Sequence, residues 1–146
     1  MKLHQLSVFL ENRPGQLSKP CRVLADAGIN ILTLSLADTE KFGILRVIVR
    51  DWQKARTALE EAGCVVNVSQ VVAIEVPDEP GGLARVLEQV EEADINVEYM
   101  YAFTFKREDR AVLVFRFEDP DAALQVLQPT DVSVLDRVEL YESVED

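Results

Sequence analysis

Two segments of this sequence carry residue types that could hold a ligand. They are Asn12-Arg13-Pro14-Gly15-Gln16-Leu17 and, at an offset of 66 residues, Pro80-Gly81-Gly82-Leu83. Each is a Pro-Gly turn that leads into a helical pattern. Such a turn presents backbone N–H groups at a helix N-terminus, which suits a carboxylate. Asn30 and Asn96 follow the two helices, where the next strands begin. Read singly, a Pro-Gly pair is ordinary chain reversal and an asparagine is ordinary turn chemistry. Their recurrence in both segments shows common descent, which by itself does not establish binding.

The remaining reactive side chains form no catalytic pattern. His4 has no Asp, Cys or Ser arrangement around it that would make it a base, and it reads as a surface histidine. Cys21 and Cys64 fall at apolar positions in or beside helices and read as small core fillers. No Cys/His spacing suggests zinc or another metal, and nothing implies a cofactor. Glu60-Glu61 and Glu91-Glu92 are adjacent on helices, so their carboxylates do not face each other. Pro-Gly-Gly-Leu lacks the ending and spacing of a phosphate loop. The expectation is a protein that is not an enzyme.

Composition sets the class. The chain has 146 residues, 48% of them apolar and 28% charged, which describes a globular chain able to bury a core. A net charge of −11 argues against a nucleic-acid partner, since neutralising phosphates needs clustered Lys and Arg. No apolar run approaches a membrane span, and the first residues have no signal-peptide core. Two cysteines make no disulfide framework. A cytoplasmic protein with no membrane partner is expected. Residues 1–70 hold 9 basic and 7 acidic side chains, whereas 71–146 hold 6 and 19.

That break in composition coincides with an internal repeat. Six of the 21 positions in 14–34 match their counterparts in 80–100, including the Pro, Gly and Leu of the turn and the Ile-Asn after the helix. Two residues are inserted near Lys106–Arg110, and the register resumes with Asp51 on Asp119, Ala55 on Ala123 and Leu59 on Leu127. The chain therefore reads as a tandem duplication with units at 1–70 and 71–146.

Each unit reads β-α-β-β-α-β. In the first, Leu6, Val8 and Leu10 alternate with Gln5, Ser7 and Phe9. Leu17, Cys21, Leu24 and Gly28 recur at helical spacing, with Pro20 forcing a start near Ser18 or a distorted first turn. A hairpin over 29–37 and 44–50 follows, then a helix capped by Asp51 and stopped at Gly63, then a strand at 65–68. The second unit repeats this with a strand at 72–76, a helix over 81–93 and a hairpin over 97–105 and 111–117. A helix behind Asp119-Pro120 and a closing strand near 132–141 complete it. The fold class is α+β: two tandem ferredoxin-like units, each an antiparallel sheet with its helices on one face. In the second unit Tyr99, Tyr101, Phe103 and Phe105 fall on the opposite face, where the first has Thr33, Ser35 and Ala37. Such a row needs cover from the chain's own core, from a second subunit or from a stacked ligand.

Glu11 to Leu17, followed by Ala27-Gly28-Ile29-Asn30-Ile31, resembles the ACT domain, in particular the regulatory domain of phosphoglycerate dehydrogenase. The resemblance covers both units, as in small proteins built of two ACT domains. It implies binding of a small effector, usually an amino acid, where two ACT units meet; the aromatic row, with the family's habit of pairing sheets and helices, gives an expected homodimer through the second unit. In the serine-binding relatives the contacting asparagines fall on Asn12 and Asn30, and a histidine falls on Leu10. The second unit has Asp78 for the turn asparagine and keeps Asn96. The implied ligand contacts are thus Asn12, Arg13, Pro14, Gly15, Gln16, Leu17 and Asn30, with Gly81, Gly82, Leu83 and Asn96 in the second unit. In this reading the N–H groups of Gly15 to Leu17 and the Asn12 side chain take the carboxylate. Asn30 accepts from the ammonium, and Arg13 and Lys19 raise the local potential. The expected function is a non-catalytic, amino-acid-binding regulatory protein. The alternatives are a regulatory subunit of a biosynthetic enzyme, such as the acetohydroxyacid synthase type, or a ligand-free assembly module.

Overall fold

A computed structural model describes residues 2–107, 109–130, 132–136 and 139–141 of the chain, with the backbone alone at 104–107. In chain order the elements are β1 (Leu3–Glu11), α1 (Ser18–Asp26), β2 (Thr33–Asp38), β3 (Phe42–Ile48), α2 (Trp52–Glu61) and β4 (Val65–Pro77). Then come α3 (Gly82–Glu92), β5 (Val97–Arg107), β6 (Arg110–Phe117), α4 (Pro120–Leu127) and β7 (Ser133–Leu135). The chain divides into two compact units. One is His4–Ser69; the other runs from Gln70 onward and includes Lys2 and Leu3.

Two readings of the elements need correction. The strands expected at 65–68 and 72–76 are one strand, β4, because no Gly, Pro or turn cluster stands between them to end the ladder. The closing strand expected near 132–141 is only Ser133–Leu135, and residues 139–141 are helical. The reason is a local cap. Asp136 Oδ1 accepts from Glu139 N–H at 2.8 Å while Glu139 Oε2 accepts from Asp136 N–H at 3.0 Å, the reciprocal pair that starts a helix.

The duplication reappears in the hydrogen-bond registers. Glu11 pairs with Phe42 as Pro77 pairs with Arg110, Leu34 with Val47 as Met100 with Phe115, and Leu36 with Leu45 as Ala102 with Leu113. Two bonds of the turns correspond, although α3 starts two residues earlier in the repeat than α1. Asn12 N–H donates to Lys41 C=O at 2.8 Å and Asp78 N–H to Asp109 C=O at 2.9 Å. Gln16 N–H donates to Arg13 C=O at 3.3 Å and Gly82 N–H to Glu79 C=O at 3.1 Å. Gly15 and Gly81 hold φ of +88° and +86°, a left-handed conformation that glycine adopts without a Cβ penalty.

In each unit the two helices cover one face of the antiparallel sheet. Leu24 of α1 with Ala55 and Leu59 of α2 close over Leu6, Val8, Leu45 and Val47. Val86 and Val90 of α3 with Ala123 and Leu127 of α4 close over Val72, Ile74, Leu113 and Phe115. Pro20 is the third residue of α1, where the N–H it lacks would have had no intrahelical acceptor. Side-chain caps start α2 and α4: Asp51 accepts from Lys54 N–H and Asp119 from Ala122 N–H, each at 3.1 Å. The aromatic row is not bare within the single chain. Phe103 is buried, Tyr99 and Tyr101 are half-buried, and the side chain of Phe105 lies outside the described residues.

At Gly82 an added Cβ would stand 2.3 Å from the carbonyl oxygen of Pro77, so α3 starts in direct contact with the end of β4. Gly82→Ala must push that backbone apart and is expected to cost about 1–3 kcal/mol, as overpacking does. Asp119→Ala, which removes only a cap, should cost about 1 kcal/mol. Urea unfolding of both variants gives the comparison; equal losses would mean the Gly82 contact relaxes freely.

Candidate functional site

The N-terminal unit has a cavity of about 490 Å³ at the sheet end where β1 stops and α1 begins. Phe9, Leu10 and Glu11 supply one wall, and Gln16, Lys19 and Pro20 of the turn and first helix supply another. The β2–β3 hairpin adds Ala37, Thr39, Phe42, Gly43 and Ile44, and Gly63, Cys64 and Val65 complete it. Chain geometry forces this meeting. A strand that ends at Glu11 must turn for α1 to run back along the sheet, and the hairpin that pairs with β1 turns at the same end.

Of the residues expected to contact a ligand, Gln16 lines this cavity, and Lys19 joins it. Asn12, Arg13, Pro14, Gly15 and Leu17 are exposed on the adjoining turn. Asn12 Nδ2 donates to Glu40 C=O at 3.0 Å, so its amide braces the hairpin. Arg13 Nε donates to Glu11 Oε2 at 2.6 Å, which pairs the turn's guanidinium with a carboxylate. Lys19 has no ion-pair partner among the described residues.

Asn30 is elsewhere. It is exposed and precedes β2, whose first residue Thr33 pairs with Ile48, whereas Asn12 follows Glu11, which pairs with Phe42. The length of β3 separates those ends, roughly 20 Å at about 3.3 Å per residue. A unit does not bring its own Asn12 and Asn30 together, because α1 carries the chain to the far end of the sheet between them.

The second unit keeps the location and changes the chemistry. Its cavity is about 150 Å³ and is lined by Val76, Pro77, Gly82, Arg85, Val86 and Arg110, among others. In the repeat these replace Leu10, Glu11, Gln16, Lys19, Pro20 and Phe42. Arg110 Nε lies 3.5 Å from Glu75 Oε1, and Arg85 pairs with Glu79 at 2.8 Å. The Oε1 of Gln89, on the same wall, is buried without a hydrogen-bond partner among the described residues. Gly81 is exposed at the turn, Leu83 packs on the core, and Asn96 is exposed with its C=O accepting from Glu118 N–H at 3.0 Å.

A family model of the ACT domain pair matches residues 1–144. The chain belongs to the ACT family. Its fold is similar to that of protein BT0572 from Bacteroides thetaiotaomicron, with a TM-score of 0.89, 39% identity and 97% of each chain covered. The ligand-free regulatory subunit of aspartate kinase from Thermus thermophilus follows at a TM-score of 0.63 and 20% identity, over 86% of this chain and 91% of that one. The Thermus flavus regulatory subunit gives 0.60 and 18%, over 88% and 93%. No curated protein matches. The latter two likenesses speak for the ACT fold alone.

Sequence reasoning placed Leu10 beside the ligand and missed the other apolar walls of the cavity in the N-terminal unit of this ACT pair: Phe9, Phe42, Ile44 and Cys64. The signal for Phe9 was its place among Gln5 and Ser7, a large apolar residue on an otherwise polar face. For Phe42 it was the exchange with Arg110 across the repeat. His4 is also not a plain surface residue: its ring is half-buried and stacks on Trp52 at 4.3 Å between centroids. Among the described residues no helix is long and apolar enough to cross a membrane, and no group of His, Cys, Asp or Glu could hold a metal.

Phe42 is 59% exposed, so its ring shapes the cavity and contributes little to the core. Phe42→Ser should change unfolding free energy by less than about 0.5 kcal/mol, whereas Leu45→Ala on the buried face of the same strand should cost about 2–5 kcal/mol. A large loss at Phe42 in thermal or urea unfolding would make it a structural residue.

Proposed function

We propose that this ACT domain pair, with units 1–70 and 71–146, is a non-catalytic cytoplasmic regulatory protein that binds an amino acid at the N-terminal unit. One observation carries the reading: the Glu11–Leu17 turn, where the family resemblance sets the ligand, forms one side of the 490 Å³ cavity through Glu11 and Gln16. The turn offers the second N–H of the Asn12 amide, whose first is given to Glu40 C=O, and the start of α1 to a carboxylate, with Lys19 as the cation nearby. Gln16 N–H is engaged with Arg13 C=O, so the donors of this site are the side chains more than the turn amides.

The separation of Asn12 from Asn30 gives self-association a role. A small zwitterion that touches both must take them from two copies of the fold, so a homodimer would complete the site. Exposed Leu34 and Leu36 on β2, at the edge of the N-terminal unit's sheet, suit such a contact better than half-buried Tyr99 and Tyr101 and buried Phe103 of the second unit. The same edge would serve a biosynthetic enzyme as partner, which is the second reading. In the second unit Asp78 and the Arg–Glu pairs make Gly81, Gly82, Leu83 and Asn96 a different and weaker site.

A thermal-shift screen over the amino acids tests this. A ligand that binds only the folded chain stabilises it by about 2.7 kcal/mol at a hundredfold excess over Kd. Calorimetric titration should then show Asn12→Ala and Asn30→Asp weakening the effector by about ten- to a hundredfold, with Asn96→Asp mattering less. Unchanged affinity in both first-unit variants would move the site elsewhere. Pull-down from extract separates an enzyme subunit from a self-associating sensor.

A further inference from the structure

We propose that the N-terminal cavity receives an apolar chain, so that the ligand is a carboxylate with an aliphatic or aromatic tail; on the reading above, it is an apolar amino acid. The first support is exposure. Among the described residues the large apolar side chains left exposed are Phe9, Leu17, Leu34, Leu36, Phe42 and Val65, all in the N-terminal unit. Phe9, Phe42 and Val65 border this one cavity. Apolar surface held around a concavity gains from an apolar guest and nothing from a polar one.

The second unit is an internal control. Both cavities sit at one position of the repeat, and the second lacks the capacity for such a guest. Phe42 is replaced there by Arg110, which pairs with Glu75, and Gln16 by Gly82, whose contact with Pro77 draws α3 onto the strand. The volume falls from about 490 to about 150 Å³. The first lies within the range of roughly 300–1,000 Å³ that small-molecule sites occupy, and the second does not. Of the two corresponding cavities, the first has the size for an apolar ligand.

Charge sets the orientation. Arg13 is held by Glu11, which leaves Lys19 as the lining cation that can meet a carboxylate at the mouth. The ligand then lies with its acid group toward the first turn of α1 and its tail along the apolar lining of the cavity.

The test is calorimetric titration of the full chain with L-alanine, L-2-aminobutyrate, L-norvaline and L-norleucine, with L-serine alongside. Each methylene moved into the cavity should tighten binding by about fourfold. Phe42→Ser and Leu10→Asn should flatten that slope, and Lys19→Met should weaken every member by a similar factor while keeping it. Circular dichroism confirms the fold of each variant, and exposed Phe42 keeps the test informative if Leu10→Asn does not fold. If serine binds more tightly than norleucine, or the series is flat, the apolar assignment is overturned while the amino-acid reading stands. If the amino acids do not bind but butyrate to hexanoate do, with the same slope and the same loss in Lys19→Met, the cavity assignment stands and the amino-acid reading falls. A flat series together with a dimer in light scattering that Phe42→Asp disperses would make the rim a contact between copies and overturn the proposal. No binding in either series overturns both.

Discussion

Two backbone hydrogen bonds shut the ends of the sheets, Asn12 N–H to Lys41 C=O and Asp78 N–H to Asp109 C=O, and the geometry of both cavities depends on them. Each ties the residue after a first strand to the turn of the hairpin paired with that strand. The chain then has no route except over the sheet, so a helix must begin beside the hairpin tip. A concavity at that corner follows from topology, before any side chain is chosen. Side chains decide what the corner holds.

The two corners show how little change that decision needs. Both close with the same bond from turn to hairpin, and both turns place glycine at a positive φ. A second position of that kind accepts a substitution: Gly28 at φ +73° has Asp94 at +58° as its counterpart. Aspartate is among the few residues that tolerate this conformation, so the helix still ends in the same way. Where the units differ in substance is at the wall. A phenylalanine in one is an arginine with a carboxylate partner in the other, and a glutamine in one is a glycine that lets helix and strand touch.

The duplication, the element order and the caps were legible because each rests on local chemistry: period-two and helical spacings, Pro-Gly turns, and aspartates at helix starts. What could not be read was where chain continuity overrules local pattern. Nothing in the residues of β4 marks an end, and the expectation of two strands came from dividing the repeat. Asn12 and Asn30 stand on matching features of one motif, yet α1 carries the chain from one end of the sheet to the other between them. The cavity walls were hidden for a related reason. Phe9 and Phe42 face the same way only because β1 and β3 are registered Glu11 to Phe42, a pairing between residues distant in sequence. The Asp136 cap was open to view and went unread beneath an expected strand.

The division between the units falls inside strands, between Leu3 and His4 in β1 and between Ser69 and Gln70 in β4. Chains ordinarily tolerate nicks and insertions at exposed loop tips, where no ladder is broken. Here both breaks fall within strands, and Gln70 C=O, at the edge of the second unit, accepts from Arg116 Nη1 of the same unit at 2.8 Å. Proteolytic dissection, circular permutation or the grafting of one half onto another protein would therefore have to cut through a sheet. The repeat arose by doubling a unit, and it can no longer be undone by cutting where the doubling occurred.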